Sequence, residues 1–217
     1  MSNPIPQNTG PHQNQKIYTS GKSLDEAKAA MILIHKRGGT AAEILDLADL
    51  LHHPEMAYLA PQAANHTWYP YSFLAPIPNN EPGISSGLQV ISDLIEHIET
   101  AGIPRNKIII AGFSQGACLS SEYIARNPDR YGGLLAFSGG VIGPLGMERN
   151  DAGDVQDMPV FIGCSDVDFH IPVERVYETA QIFSDLNAQV NVKIYPNMGH
   201  TIIKDEIDEA MKIVNSV

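Results

Sequence analysis

One stretch of the sequence, KIIIAGFSQGA at residues 107–117, constrains the fold more than any other. Its first half is apolar and β-branched on both faces, which is typical of a central strand in a parallel sheet. Glycines then flank Ser114, and a helical pattern follows directly, from about Gln115 to Arg126. A chain that passes from a buried strand through a tight turn into a helix is typical of α/β proteins.

Strand and helix alternate along the rest of the chain. Residues 84–98 carry isoleucine and leucine at spacings of three and four, which predicts one amphipathic helix ending near Gly102. Other helices are predicted near residues 172–187 and 204–216. Short apolar strands are predicted at residues 29–35, 56–61, 107–113, 134–139, 160–163 and 190–196. The pattern predicts a mostly parallel sheet with helices on both faces, in which ligands bind at the carboxyl ends of the strands.

Length and composition favour one globular domain. The 217 residues suffice for a single core, and we expect a polar arm at residues 1–15 followed by the domain at residues 16–217. The arm has neither the basic region nor the apolar region of a secretory signal. Two cysteines are too few for a disulfide scaffold, so a reducing, cytoplasmic location is expected.

The net charge of the chain limits the classes of molecule that it is expected to bind. The formal net charge is −11 and is spread along the chain, which argues against nucleic acid and anionic membrane surfaces as main partners. No stretch approaches the roughly 18 consecutive apolar residues that a transmembrane helix requires. Neither nucleic-acid binding nor a membrane span is therefore expected.

Ser114 is the candidate nucleophile. Residues 112–116 fit Gly-x-Ser-x-Gly, and they follow a buried strand and open a helix. In that setting a strained turn projects the serine hydroxyl beyond the sheet, beside a helix N-terminus that favours developing negative charge. The alternative is a glycine-rich turn with an incidental serine.

A serine hydroxyl needs a base, and His200 is the candidate. In the chain order serine, acid, histidine, the base lies late in the chain. His200 follows the strand at residues 190–196 and precedes the last predicted helix. The other histidines fit less well: His12, His52, His53 and His97 are expected in the arm or on helices and facing solvent, His35 ends a strand, and His66 and His170 lie in loops that could border the site. The adjacent pair His52 and His53 would diverge on a helix, which makes a poor metal site.

An aromatic loop follows the second strand and is the candidate substrate wall. Trp68, Tyr69, Tyr71 and Phe73 lie within six residues of one another, too dense for an ordinary solvated turn. We expect Trp68, Tyr69 and Phe73 to line a pocket. The alternative is a loop packed on the domain's own core, and one loop can do both.

Four segments in this order resemble the phospholipase/carboxylesterase family, which comprises single-domain α/β-hydrolases such as acyl-protein thioesterases and small bacterial esterases. The segments are APQAANHTWYPYSFLAP (60–76), AGFSQGA (111–117), DFHIP (168–172) and YPNMGHT (195–201). The resemblance extends from about residue 29 to the C-terminus and implies the α/β-hydrolase fold. It implies that Ser114 is the nucleophile, His200 the base and an aspartate of residues 163–172 the acid.

Two aspartates compete for the role of the acid. The family pattern is roughly G-x-x-D joined to D-x-x-V-P, with one aspartate serving both halves, and here two inserted residues separate them. Counting from Gly163 favours Asp166, whereas counting back from Pro172 favours Asp168. We predict Asp168, because residues 168–172 match the second half with isoleucine in place of valine. Asp166 would then stabilise a turn.

The resemblance also implies an oxyanion hole formed by two backbone N–H groups, those of Gln115 and Arg37. The second comes from a loop that usually reads H-G-x-G and here reads His35-Lys36-Arg37-Gly38. Lys36 thus replaces the usual glycine. It either places a cation at the rim of the pocket or points into solvent.

The predicted reaction is hydrolysis of a carboxylic ester or thioester with a small to medium acyl group, through an acyl-enzyme and without a metal or organic cofactor. One alternative is a lactone hydrolase similar to dienelactone hydrolase, although that class normally has a cysteine nucleophile. A second alternative is a binding module on a hydrolase fold, which would have no need to keep serine, aspartate and histidine together. The resemblance implies a homodimer as one assembly, while the residues leave the oligomeric state open.

Overall fold

The computed structural model describes residues 10–217, which form a seven-stranded sheet with helices on both faces. The strands are β1 (Ile17–Gly21), β2 (Ala29–Ile34), β3 (Met56–Pro61), β4 (Ile108–Phe113), β5 (Gly133–Phe137), β6 (Pro159–Ser165) and β7 (Gln189–Tyr195). Their order across the sheet is β1-β3-β2-β4-β5-β6-β7. Only β1 runs antiparallel to its neighbour; the other pairs are parallel. The predicted mostly parallel sheet is confirmed.

Six α-helices connect and cover the strands. They are α1 (Ala41–Leu45), α2 (Leu47–Leu50), α3 (Gly83–Thr100), α4 (Gln115–Arg126), α5 (Val173–Asp185) and α6 (Lys204–Val214). The apolar stripe predicted on α3 is buried at Ile84, Ile91, Ile95 and Ile98. No helix within residues 10–217 is long and apolar enough to cross a membrane.

The sheet separates two apolar cores, and β4 contributes to both. Ile110 packs on one side with the α3 stripe, while Ile109 packs on the other side with Ile213 of α6. Successive residues of a strand point to opposite faces, so a strand covered on both faces must be apolar throughout. This is why the sequence of β4 reads as an uninterrupted apolar run and why its end lies deep in the middle of the sheet.

Two expectations about the fold are corrected. The strand β1 was not predicted, because its five residues are largely exposed and polar; it forms by pairing along β3 from Ile17↔Pro61 to Gly21↔Ala57. Helix α2 ends at Leu50, so His52 and His53 lie in the turn before β3 and not on a helix.

The predicted N-terminal arm is only partly described, since residues 1–9 lie outside the described residues. His12, expected to face solvent, is instead buried. Its Nε2 lies 2.8 Å from the carbonyl of Trp68, and its Nδ1 accepts the N–H of Ala64 at 3.1 Å. Both ring nitrogens thus have partners in the loop after β3, which explains the burial of this polar residue.

Candidate active site

Ser114 occupies a strained turn between β4 and α4. Its backbone has φ 56° and ψ −117°, a region that residues other than glycine rarely adopt and that persists only when the surroundings enforce it. The serine N–H donates to the carbonyl of Phe137 on β5 at 2.9 Å. The turn therefore aims the hydroxyl out of the sheet, at the first turn of α4.

Two glycines allow the chain to close around this turn. A Cβ on Gly112 would lie 2.4 Å from the backbone carbon of Gly116, and a Cβ on Gly116 would lie 2.0 Å from the carbonyl oxygen of Ile34. Real Cβ atoms do not approach backbone so closely, so both positions require glycine. The Gly-x-Ser-x-Gly pattern thus reflects packing of α4 directly against the ends of β4 and β2.

His200 comes to Ser114 from the loop between β7 and α6. Its Nε2 lies 2.8 Å from Ser114 Oγ, and its Nδ1 lies 2.6 Å from Asp168 Oδ2. Its ring packs on Phe113, with the centroids 4.9 Å apart. Because Asp168 accepts the proton of Nδ1, Nε2 is left to accept the proton of the serine hydroxyl. The three side chains can therefore carry a proton from oxygen to imidazole.

The Asp168 carboxylate is saturated with hydrogen bonds. Its side chain is fully buried, and besides His200 it accepts the N–H groups of His170 at 2.8 Å and Ile171 at 3.2 Å. Burial alone would raise the pKa of this carboxyl group, but the hydrogen bonds from His200, His170 and Ile171 outweigh it and hold the pKa below 3.8. A carboxylate in this setting stays ionised and favours a positively charged imidazole beside it.

Asp166 has different hydrogen-bond partners in the same loop. It is exposed, and its Oδ1 accepts the N–H of Asn197 at 2.8 Å, while its own N–H donates to the carbonyl of Tyr195 at 3.1 Å. Asn197 has φ 54° and begins the bend that leads to His200. The structure thus places Asp168 against the histidine side chain and Asp166 against the backbone of the histidine loop.

Arg37 and Gln115, whose N–H groups are expected to form an oxyanion hole, both line the cavity that contains Ser114. The N–H group of Gln115 opens α4, and that of Arg37 lies in the loop after β2. Neither donates to a backbone acceptor within residues 10–217. The loop is fixed nearby, since Gly38, with φ 71°, donates its N–H to the carbonyl of His66 at 2.7 Å. Two free donors at a helix N-terminus and an adjacent loop can bind an oxygen that gains negative charge.

The side chain of Gln115 has a structural role that sequence reasoning missed. Its amide is buried and ties the aromatic loop to α4: Oε1 accepts the N–H of Trp68 at 2.9 Å, and Nε2 donates to the carbonyl of Tyr69 at 2.8 Å. The hydroxyl of Thr67 also donates a weaker hydrogen bond to Gln115 Oε1 at 3.3 Å. The residue that supplies an expected oxyanion donor therefore also positions the wall of the cavity.

The aromatic loop forms one wall of a cavity of about 380 Å³ that contains Ser114 and His200. Tyr69 and Phe73, two of the three residues expected at a substrate pocket, line this cavity together with Tyr71. Trp68 does not. Its ring is fully buried in the core, where the indole N–H donates to the carbonyl of His35 at 3.0 Å. The pocket prediction is corrected at Trp68, because an indole that must both bury its rings and satisfy its N–H fits the core better.

Both cysteines are buried near the site. Cys118 borders the cavity, and Cys164 Sγ lies 4.0 Å from Asp168 Oδ2. Burial raises the pKa of each thiol to about 12. Since the thiolate is the reactive form, neither thiol is a nucleophile at neutral pH.

Comparison with known proteins identifies the family of the chain. The family model described as phospholipase/carboxylesterase matches residues 20–217. A crystal structure of a phospholipase/carboxylesterase from Dyadobacter fermentans is 46% identical, covers 93% of this chain and 97% of its own, and has a TM-score of 0.90.

Fungal relatives are more distant. Acyl-protein thioesterase 1 of Candida albicans is 27% identical over 93% of this chain and 96% of its own length. The homologous enzyme of Saccharomyces cerevisiae is 28% identical over 61% of this chain, and the match spans only 59% of the yeast protein.

Proposed function

The chain belongs to the phospholipase/carboxylesterase family, and on that premise we propose that it hydrolyses carboxylic esters or thioesters with Ser114 as nucleophile, His200 as base and Asp168 as acid. One observation carries the proposal. Ser114 Oγ, His200 and Asp168 are joined by consecutive contacts of 2.8 Å and 2.6 Å, and the serine sits in the strained turn that exposes its hydroxyl.

Acylation begins when Ser114 Oγ attacks the carbonyl carbon of the substrate. His200 Nε2 takes the hydroxyl proton, and the buried Asp168 carboxylate stabilises the imidazolium that forms. The carbonyl oxygen gains negative charge and binds the N–H groups of Arg37 and Gln115. When the bond to the leaving group breaks, His200 returns the proton to the departing oxygen or sulfur.

Deacylation repeats these steps with water. His200 Nε2 takes a proton from a water molecule, which attacks the acyl-enzyme, and the same N–H groups hold the second oxyanion. His200 then returns the proton to Ser114 Oγ as the acid product leaves. Every proton moves through one nitrogen, so the tautomer that Asp168 fixes is needed in both halves of the reaction.

The cavity supports small to medium acyl groups. Its volume of about 380 Å³ is near the lower end of ordinary ligand pockets. Tyr69, Tyr71 and Phe73 give it an aromatic wall, which suits an apolar acyl chain. Choice between oxygen and sulfur esters would depend on the leaving group.

The two alternative functions are less well supported. A lactone hydrolase with a cysteine nucleophile would need a reactive thiol, and Cys118 and Cys164 both have a pKa raised to about 12. A binding module would have no reason to hold Ser114 in a strained conformation with an aligned base. Strain of this kind costs about 1–3 kcal/mol and typically persists for function.

A panel of p-nitrophenyl esters with increasing acyl length tests the proposal. We expect a burst of p-nitrophenol from the wild type, highest kcat/KM for short to medium acyl chains, and a loss of about 10⁴-fold or more in kcat for Ser114→Ala. Ser121→Ala is the matched control, because Ser121 lies on the same helix with its hydroxyl bonded to the carbonyl of Ala117. Absence of a burst, with equal rates for the wild type and Ser114→Ala, would favour a binding module instead.

A further inference from the structure

Positive charge at the cavity is unusual for this protein. The chain has 14 lysines and arginines and a net charge of −11, and nine of the 14 form ion pairs with carboxylates. Five have no carboxylate partner within residues 10–217: Lys16, Lys36, Arg37, Lys107 and Arg130. Two of these five are adjacent and line the cavity beside Ser114.

No carboxylate offsets this charge inside the cavity, since none of its lining residues is an aspartate or glutamate. Asp168, the nearest acid of the site, is fully buried and turned toward His200. Glu43, close along the chain, does not line the cavity and forms no ion pair with Lys36; its side chain accepts the N–H of Thr40 at 2.9 Å in a capping box at the start of α1. The cavity therefore carries net positive charge on an acidic protein.

The two cations are held differently. The Arg37 guanidinium donates to the carbonyls of Pro70 and Tyr71, which fixes it to the aromatic loop, and carbonyl groups do not cancel its charge. The Lys36 side chain is exposed and has no hydrogen bond or ion pair with any residue from 10 to 217. A lysine carries its ammonium on a flexible stem of four carbons. Arg37 thus provides a fixed field, and Lys36 provides a charge that can move onto a ligand.

We propose that Lys36, supported by Arg37, makes this enzyme prefer esters that carry an anionic group, such as a carboxylate, close to the ester bond. The inference rests on the proposed hydrolase function and deepens it, because it names the chemical class of substrate. An unpaired cation exposed at the mouth of the cavity attracts the anion in the ground state and the transition state alike. The preference should therefore appear in KM, with kcat nearly unchanged.

Two pairs of esters locate the anion. In the first pair, p-nitrophenyl hydrogen succinate carries a carboxylate on the acyl side and p-nitrophenyl butyrate is its neutral counterpart. In the second pair, 4-acetoxybenzoate carries a carboxylate on the leaving group and phenyl acetate is its neutral counterpart. The ratio of kcat/KM within each pair is measured for the wild type, Lys36→Gln and Lys36→Glu. Lys107→Gln is the matched control, because Lys107 also lacks a carboxylate partner but precedes the amino end of β4, whereas Ser114 follows the carboxyl end.

We expect the anionic-to-neutral ratio of one pair to fall about 2- to 5-fold in Lys36→Gln, as for an exposed ion pair, and to fall further in Lys36→Glu. The pair that responds identifies the side on which the anion sits. The effect should be carried by KM, should shrink with added salt because exposed charges are screened, and should be absent in Lys107→Gln.

Other results overturn the inference. If both ratios are the same in the wild type and the Lys36 variants while all neutral esters are hydrolysed in a Ser114-dependent manner, the inference fails and the proposed function stands. If none of the four esters is hydrolysed, both fail. A salt-insensitive change in kcat for neutral and anionic esters alike would show that Lys36 shapes the loop and does not select charge.

Discussion

Two loops beside Ser114 depart from the usual family pattern, and the departures differ in kind. The loop after β6 has two extra residues, yet both of its aspartates find fixed partners, Asp168 in the His200 side chain and Asp166 in the backbone of Asn197. The loop after β2 carries Lys36 where a glycine is expected, and the Lys36 side chain has no partner among residues 10–217. We therefore expect the insertion, whose polar groups all have partners, to leave the chemistry unchanged, and the exposed charge of Lys36 to change which esters the cavity attracts.

The largest effect is expected from Asp168→Asn. Asparagine fits the same space, but its oxygen would stay with the N–H groups of His170 and Ile171. Its NH2 group would then donate to His200 Nδ1, which selects the wrong tautomer, and a neutral amide does not stabilise an imidazolium as the carboxylate does. By analogy with other serine hydrolase triads, kcat for p-nitrophenyl acetate should fall about 10³- to 10⁴-fold. The melting temperature checks folding. A smaller loss than that of Asp166→Asn would reverse the assignment of the two aspartates.

A much smaller effect is expected at Asp166, and two variants separate its role from that of Asp168. Asp166→Asn keeps an oxygen that can accept the N–H of Asn197, so kcat should stay near that of the wild type. Asp166→Ala removes the acceptor at an exposed site, which should cost at most about 1 kcal/mol of stability and lower kcat by less than about 10-fold as the histidine loop loosens. Equal losses in the two variants would mean that the charge of Asp166, and not its hydrogen bond, matters.

The buried carboxyl group of Glu206 predicts that pH changes the stability of the protein without changing catalysis. Glu206 of α6 is fully buried against Gly163, and burial raises its pKa to about 7. Its unfolded pKa is near 4.5, so the folded state holds a proton that the unfolded state releases. Between about pH 4.5 and 7 this group therefore lowers stability as pH rises, and the deficit persists at higher pH.

Glu206→Gln removes this penalty and keeps an oxygen that can accept the N–H of Ile203, as Glu206 does at 2.9 Å. The variant should be more stable than the wild type at pH 8, by at most about 3 kcal/mol, and equally stable near pH 4.5. Buried His12 and His35 titrate in both proteins, so the difference isolates Glu206. Thermal melts at several pH values measure it, and a difference independent of pH would exclude titration as the cause.

Much of the fold was predictable from the sequence because burial on both faces leaves a continuous apolar run, as in β4, and an amphipathic stripe, as in α3. The edge strand β1 was not predictable, because its conformation depends on its pairing with β3 and not on its own side chains. The burial of His12 was missed for the same reason: its partners, Trp68 and Ala64, are more than 50 residues away.

The candidate site was predictable to a different extent. Ser114 and His200 follow from local context, because each comes after the carboxyl end of a parallel strand, β4 and β7, and these ends lie at the same edge of the sheet. Counting residues left Asp166 and Asp168 open, since the position of an inserted loop depends on hydrogen bonds that sequence spacing does not record. Trp68 and Gln115 show the same limit: an aromatic or amide side chain can face the cavity or the core, and only packing decides. The cytoplasmic location and the homodimer stay predictions.

The rate of inactivation by diisopropyl fluorophosphate reports on the proposed roles of Ser114, His200 and Asp168 without a known substrate. We expect a single adduct on Ser114 by peptide mass spectrometry, none in Ser114→Ala, strongly slowed labelling in Asp168→Asn and nearly normal labelling in Asp166→Asn. An adduct on another residue, or slower labelling in Asp166→Asn than in Asp168→Asn, would contradict these roles.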